Sequence, residues 1–252
     1  MKGTALKRPK IICHMVSSID GRLLVDRWSA PASGVKAGTL LQHYEEIGEK
    51  FPAEGWIVGR RTMQEIVEGV TRNAKAAGVH WRETYVGNRK GRHIAVAIDP
   101  HGKLHYGKDH VGEDHIVAVL GEQVSDGYLA ELRQDGVSYL FAGSDGHDLH
   151  RAMEILGATF NIETLLLEGG GRINGAFLKA GLIDEISLLV YPGIDGLSGV
   201  PSIFDFAGTK DEKPATGQSL RHTATETLEG GVVWIRYKVE KKTKTKRKTR
   251  SA

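Results

Sequence analysis

Cysteine is nearly absent: one residue, Cys13, stands among 252. No intramolecular disulfide can form, and a reducing cytoplasm is the expected compartment. Cys13 lies inside an apolar run, where a buried, inert thiol is expected rather than a nucleophile. No apolar run approaches the length of a membrane span, and the basic stretch Met1 to Lys10 leads into a strand-like segment rather than a signal-peptide core. Metal motifs are missing too. His101, His105, His110 and His115 recur every four to five residues, and His147 and His150 at helical spacing, but no His-Glu-x-x-His and no cysteine pair accompanies them. Without a Gly-x-Ser-x-Gly elbow, a hydrolase triad has no anchor. Acid is lacking only at the C-terminus. Residues 241–252 carry seven basic side chains and no acidic one, and removing those seven from the net charge of +3 leaves −4 for residues 1–240. Such a tail has nothing to bury and is expected to be disordered and solvated, with no dedicated nucleic-acid partner.

What remains is ordinary globular composition, 40% hydrophobic and 26% charged, in a length that suits one large α/β domain over residues 1–240. Within it, strand-like and helical segments alternate. Lys10 to Ser17 reads as a core strand, residues 38–51 as an amphipathic helix stopped by Pro52, and Gly55 to Val58 as a second strand. Gly59-Arg60-Arg61-Thr62 then opens a short helix over Met63 to Val67, with Thr62 suited to cap it. Glu68 to Arg92 is a polar surface excursion in which Trp81 and Tyr85 pack or form a lid. Strands follow at Ile94 to Ile98, Ile116 to Leu120 and Val137 to Phe141, with a loop over His101 to His115. Helices are expected at Tyr128 to Leu132 and Leu149 to Leu156. The alternation predicts a mostly parallel sheet covered on both faces. Glu185 to Tyr191 reads as a further strand, and Ala224 to Thr227 with Gly231 to Val239 as a closing antiparallel hairpin.

The most informative stretch is Leu165 to Leu178, Leu-Leu-Leu-Glu-Gly-Gly-Gly-Arg-Ile-Asn-Gly-Ala-Phe-Leu. It predicts a buried strand, a glycine turn and the start of a helix. Unpaired amides and the positive end of the helix dipole there make a seat for phosphate. A bare turn that only reverses the chain is the competing explanation. The dinucleotide fingerprint fails, because Asn174 stands where its third glycine belongs, and the P-loop lacks its Gly-Lys-Ser/Thr. Gly59 to Thr62 repeats the strand–glycine–helix pattern with two guanidiniums and a hydroxyl suited to phosphate oxygens. Ser17, Ser18 and Asp20 lie at a strand's carboxyl end, where α/β sheets bind ligands, although Asp20 also suits an Asx turn before Gly21.

Ser18-Ile19-Asp20-Gly21-Arg22, Val58-Gly59-Arg60-Arg61-Thr62, Leu166 to Leu178 and Gly181-Leu182-Ile183-Asp184-Glu185 form a series. In combination it resembles the riboflavin-biosynthesis pyrimidine reductases across residues 10–240. The resemblance implies a dihydrofolate-reductase-like fold, a three-layer α/β/α arrangement with a mostly parallel sheet and a C-terminal antiparallel hairpin. It implies NADPH held by Gly169, Gly170, Gly171, Arg172, Ile173 and Asn174 at the helix start. Thr62, beside Gly59, would meet the pyrophosphate, Arg60 and Arg61 the 2′-phosphate, and Ser17 the nicotinamide end. Glu168 would bind substrate, with Ser18 and Asp20 in the loop beside the reacting centre; Asp20 and Glu168 are the carboxylates nearest the chemistry. The family's reaction reduces the ribosyl group of 5-amino-6-(5-phosphoribosylamino)uracil, or a close pyrimidine ribose phosphate, to ribityl. Positioning is most of what such a hydride transfer asks of the protein, and no side chain stands out as an obligatory general acid.

The pattern departs from the family in two places. No Pro-Cys-x-x-Cys of a deaminase accompanies the reductase segment, so a stand-alone reductase is expected. Arg27 is the only arginine between Leu23 and Glu54, leaving the family's substrate-phosphate arginines without an obvious counterpart. A pterin or small carbonyl substrate, or a non-catalytic nucleotide- or nucleic-acid-binding protein, are the alternatives. Family habit predicts a homodimer.

Overall fold

Seven strands run parallel because the segments joining most of them carry helices that cross back over the sheet. The computed structural model describes residues 8–36, 38–67, 69 and 82–242. Its strands are β1 (Lys10–Ser17), β2 (Gly55–Gly59), β3 (Ile94–Ile98), β4 (His110–Val111), β5 (Asp114–Leu120), β6 (Ser138–Phe141), β7 (Thr164–Leu167), β8 (Glu185–Val190), β9 (Gln218–Thr227) and β10 (Val233–Lys241). They form one sheet in the order β4-β5-β3-β2-β7-β1-β8-β10-β9, with β6 also pairing β5. The strand β10 is antiparallel to both of its neighbours, β8 and β9, as is the short β4 to β5; the remaining pairings are parallel. The strand β3, Ile-Ala-Val-Ala-Ile, is buried at every residue, as a central parallel strand covered on both faces must be.

The helices are α1 (Thr39–Gly48), α2 (Arg60–Ile66), α3 (Asp126–Asp135), α4 (Leu149–Thr159) and α5 (Gly171–Lys179). Met153 and Leu156 of α4 and Phe177 of α5 pack against Ile11, Cys13, Ile57, Val96 and Leu167 on one face. On the other face Met63 of α2 and Leu129 and Leu132 of α3 meet Ala95, Ala97, Ile116 and Ala118. Beside them Leu40 and Ile47 of α1 cover Ile12, Leu166, Leu189 and Trp234. These three clusters are the layers that the alternating pattern predicts.

Several boundaries differ from expectation, α3, α4 and β9 being longer and α1 shorter than read, and two have a visible cause. Helix α2 starts at Arg60, three residues before the predicted Met63, because Gly59 takes the extended N-cap conformation (φ −78°, ψ 165°) and Thr62 falls in the first turn without capping it. The strand β10 runs through Lys241, whose ammonium meets Asp184 at 2.9 Å, so the line drawn at residue 240 cuts one residue inside the strand. The loop expected over His101 to His115 contains the two-residue β4. Trp81, most of the 68–92 excursion and residues 243–252 lie outside the described residues. Among the described residues no helix is long and apolar enough to cross a membrane, and no cluster of three potential metal ligands occurs.

Candidate active site

The strands β2, β3 and β7 are neighbours and parallel, so their carboxyl ends open onto one rim. There a cleft of about 560 Å³ lies between the starts of α2 and α5. Gly59, Arg60, Arg61 and Thr62 form one wall and Gly170, Gly171, Arg172 and Ile173 the facing one. The two glycine-led helix starts that the sequence suggests thus belong to a single site. Arg60 is steadied by a 3.1 Å bond from its guanidinium to Gln64 one turn on.

The three consecutive glycines have three different reasons. Gly169 sits at φ 99°, in the left-handed region, and a Cβ there would lie 3.0 Å from Met15 Cε. Its carbonyl accepts from the Gly59 amide at 3.0 Å, tying the two turns together. Gly171 lies against the chain at Ser202, where a Cβ would stand 2.1 Å from the carbonyl oxygen. Gly170 alone is open: a Cβ there would meet only Thr62 Oγ1, at 4.0 Å. It is therefore the amide of Gly170, at the N-cap of a nine-residue helix, that an anion can approach across from the Thr62 hydroxyl. These features fit a dinucleotide's phosphates: an open backbone cradle, a hydroxyl, three guanidiniums around it and space for an extended ligand.

Not every predicted cofactor residue reaches this cleft. Gly169 and Ser17 do not line it. Asn174 is fully buried, with its side-chain amide donating to the Ile203 carbonyl at 2.9 Å while its own Oδ1 lacks a partner. Its side chain therefore holds the 201–206 segment against α5 rather than facing the cleft. Ser17 is buried at the end of β1, and its carbonyl takes the Tyr191 amide at 2.8 Å.

The predicted reaction-side residues form a second group. Ser18 is buried; its hydroxyl donates to Asp20 Oδ1 at 2.7 Å and accepts from the Arg22 amide at 2.9 Å. Asp20 also accepts from the amides of Asp195 (3.2 Å) and Gly196 (2.9 Å), clamping the loop after β8 to the loop after β1. The Ser18 hydroxyl first, then the Gly196 amide, hold its carboxyl down at about 2. Asp20 is thus an anion near neutrality and already well bonded, which suits a structural clamp and not a proton donor. Arg27 is bound to Asp195 across the same pair of loops, at 2.8 and 3.2 Å.

Glu168 has the opposite environment. Its amide continues the sheet by donating to Ile57 at 2.9 Å, and the alternation along β7 turns its side chain to the α1 face, with Leu166. Burial pushes its carboxyl up to about 7; the Tyr44 hydroxyl pulls the other way, and the Asp114 charge adds to the rise. A carboxyl raised this far can take up or release a proton near neutral pH.

The sequence left several contributors unmarked, among them three outside the 201–207 segment and α5. Ile98 and Pro100, at the carboxyl end of β3, and His147 also line the cleft. Between the first two, Asp99 is fully buried; its Oδ2 accepts from the amides of Lys103 (2.6 Å) and Leu104 (2.8 Å), and Oδ1 has no partner. The rule that ligands sit at strand carboxyl ends pointed to the end of β3 as much as to those of β1 and β7. His147 carried no comparable signal.

Comparison with known proteins bears on family and fold. A sequence model described as the RibD C-terminal domain matches residues 9–234. A 2,5-diamino-6-ribosylamino-4(3H)-pyrimidinone 5′-phosphate reductase of Methanothermobacter thermautotrophicus is 26% identical over 220 residues, spanning 86% of this chain and 94% of that protein. A solved pyrimidine reductase-like protein from Corynebacterium diphtheriae superposes with a TM-score of 0.65 at 17% identity, over 92% of each chain. The riboflavin biosynthesis reductase Rib7 of Saccharomyces cerevisiae gives 0.53 at 14% identity, over 95% of this chain and 93% of its own. Identities this low establish a common fold, the dihydrofolate-reductase-like one, and the family assignment comes from the match over residues 9–234. The chain belongs to the RibD C-terminal domain family.

Proposed function

We propose that this protein is an NADPH-dependent pyrimidine reductase of riboflavin biosynthesis that converts the ribosyl group of a pyrimidine ribose phosphate to ribityl. The observation that carries the proposal is the apposition of Gly170 and Thr62 across a cleft flanked by Arg60, Arg61 and Arg172. A single phosphate seat would not need two helix starts; a pyrophosphate with a nearby 2′-phosphate uses both. Gly170, Gly171, Arg172, Ile173 and Thr62 hold the pyrophosphate and adjoining ribose, and Arg60 with Arg61 takes the 2′-phosphate. When bound, the cofactor supplies the hydride.

The chain's own work is alignment and proton handling. The clamp of Ser18, Asp20, Asp195 and Gly196 fixes the loops at the ends of β1 and β8. Glu168 binds the substrate's ribose, and its carboxyl, near half-ionised at neutrality, can hold the proton that the ribose ring oxygen takes as its bond to carbon breaks. The name of the archaeal relative supports a pyrimidinone ribose phosphate as the substrate class. Two copies of the chain form the active particle, in cytoplasm.

Titration of NADPH into a variant with a bulky residue at Gly170 tests the proposal. Gly170→Leu places its side chain in the open cleft and should abolish binding while the circular dichroism spectrum stays native. Wild-type affinity in that variant would remove the phosphate seat.

A further inference from the structure

The side chain nearest Glu168 in chemistry is one that neither its position in the sequence nor the family resemblance marks. Tyr44 lies mid-way along α1, which crosses β1 and β7. A Cβ on Gly48, one turn further on, would lie 3.6 Å from His14 Nε2 and 3.8 Å from Leu166 Cδ1, so the helix is seated closely on these two strands. Tyr44 is clamped to residue 14 at both ends. Its ring stacks on the His14 imidazole with centroids 4.3 Å apart, its carbonyl lies 3.0 Å from His14 Nε2, and its hydroxyl donates to the His14 carbonyl at 3.1 Å.

The tautomer of His14 follows from its partners. A backbone carbonyl can only accept, so Nε2 carries a hydrogen toward Tyr44. Nδ1 then takes the Ser187 hydroxyl hydrogen at 3.0 Å, while the Ser187 oxygen accepts from the Trp234 indole at 2.9 Å. Every polar atom in this chain is satisfied, and burial disfavours a charged His14. Tyr44 is therefore held firmly, with one hydroxyl proton and two acceptors within its reach: the His14 carbonyl and the Glu168 carboxyl.

We propose that Tyr44 is a positioning residue for the reaction: its single hydroxyl proton, shared between the His14 carbonyl and the Glu168 carboxyl, sets how readily Glu168 releases its own proton. When Glu168 is ionised, the phenol turns its hydrogen to the carboxylate. When Glu168 is protonated, the phenol returns the hydrogen to His14 and can offer Glu168 a lone pair. Both charge states of Glu168 are thereby given a partner. The other titratable groups facing this pair are Asp114 at the start of β5 and Cys13 on β1. Asp114 is held by the Trp56 indole at 2.7 Å, and the buried Cys13 thiol stays protonated. Cys13 packs in the cluster under α4 and α5, on the other face of the sheet from α1, and the Asp114 carboxyl is engaged by Trp56, so neither takes the place of the phenol beside the carboxylate.

This role rests on Glu168 acting on substrate, and one experiment separates the two. Tyr44→Phe keeps the ring, its stack on His14 and its backbone bond. The Glu168 carboxyl is titrated by ¹³C NMR in ¹³C-glutamate-labelled free protein, with Glu168→Gln identifying its signal, and the kcat/KM profile is measured for the same proteins. Loss of the phenol's donated bond should raise the Glu168 titration by about one pH unit and carry the corresponding limb of the kcat/KM profile with it. An unmoved carboxyl titration overturns the role of Tyr44. A shifted titration with an unshifted kcat/KM profile upholds the coupling and overturns the role of Glu168 proposed above.

Discussion

A glycine can be required for the space beside it or for the space in front of it, and the turn before α5 contains both kinds. Gly171→Ala forces a methyl to within 2.1 Å of the Ser202 carbonyl and should destabilise the fold by about 1–3 kcal/mol in urea unfolding. Gly170→Ala meets nothing closer than 4.0 Å and should leave stability within about 0.5 kcal/mol of wild type. Equal losses in both would mean that the 202 segment does not press on Gly171. Arg60→Ala or Arg61→Ala removes a charge-assisted phosphate bond and should weaken NADPH by about 1.5–3 kcal/mol, roughly 10- to 150-fold, with little change for NADH. Calorimetric titration of both cofactors checks this; equal weakening would reject the 2′-phosphate contact.

Glu168 makes a further prediction at the same scale. Its folded-state pKa of about 7 lies above the ordinary 4.5, so the folded protein binds more protons than the unfolded chain between these values. Stability should therefore fall as pH rises from about 4.5 to 7 and level off above it. In urea unfolding, Glu168→Gln should be more stable than wild type at pH 8 by on the order of 2–3 kcal/mol, a difference that shrinks towards pH 5. No gain at pH 8 would mean that Glu168 is not held against its charge.

Elements were legible wherever a strand or helix had its own pattern. The apolar runs of β1, β3 and β7 need no tertiary context, and the start of α4 is legible at Leu149 as observed. The apolar pattern starts α3 two residues late, at Tyr128, because it passes over the cap at Ser125, which accepts from the Tyr128 amide. The start of α2 was less legible. Thr62 has the chemistry of a cap, but Gly59, bonded to Gly169 in the turn after β7, distant in sequence, sets the helix boundary three residues earlier. The glycine cleft could be read because two similar motifs announced it. Asn174 could not be placed, because which face of α5 it occupies depends on the 201–206 segment packing there. Tyr44 read as part of an apolar helical face, and only the approach of α1 to β7 makes it a partner of Glu168.

At the scale of the molecule, the termini of the described chain are joined through one carboxylate. Asp184 receives both arms of Arg8 at 2.7 Å, Lys241 at 2.9 Å and the Ile11 amide at 3.0 Å. Against the upward pull of burial, these partners, Arg8 first, hold its carboxyl below the ordinary range. Its contribution is present above the unfolded carboxylate pKa and is lost as pH falls through the lower folded value. Asp184→Asn should cost about 1–3 kcal/mol at pH 7 and progressively less in strong acid, read by denaturant unfolding. A cost that does not change with pH would exclude the charge as its origin. Deleting residues 243–252 lies beyond this junction and should leave reductase activity intact if the basic tail serves no catalytic purpose.

The central claim concerns the reaction, and the direct measurement is NADPH oxidation by the purified protein, followed by absorbance. The assay offers in turn 2,5-diamino-6-ribosylamino-4(3H)-pyrimidinone 5′-phosphate, its deaminated counterpart and dihydrofolate. The account predicts turnover with one of the pyrimidine ribose phosphates, a ribityl product by mass spectrometry and no turnover with dihydrofolate. Oxidation with dihydrofolate alone, or with none of the three while NADPH binds normally, would contradict it.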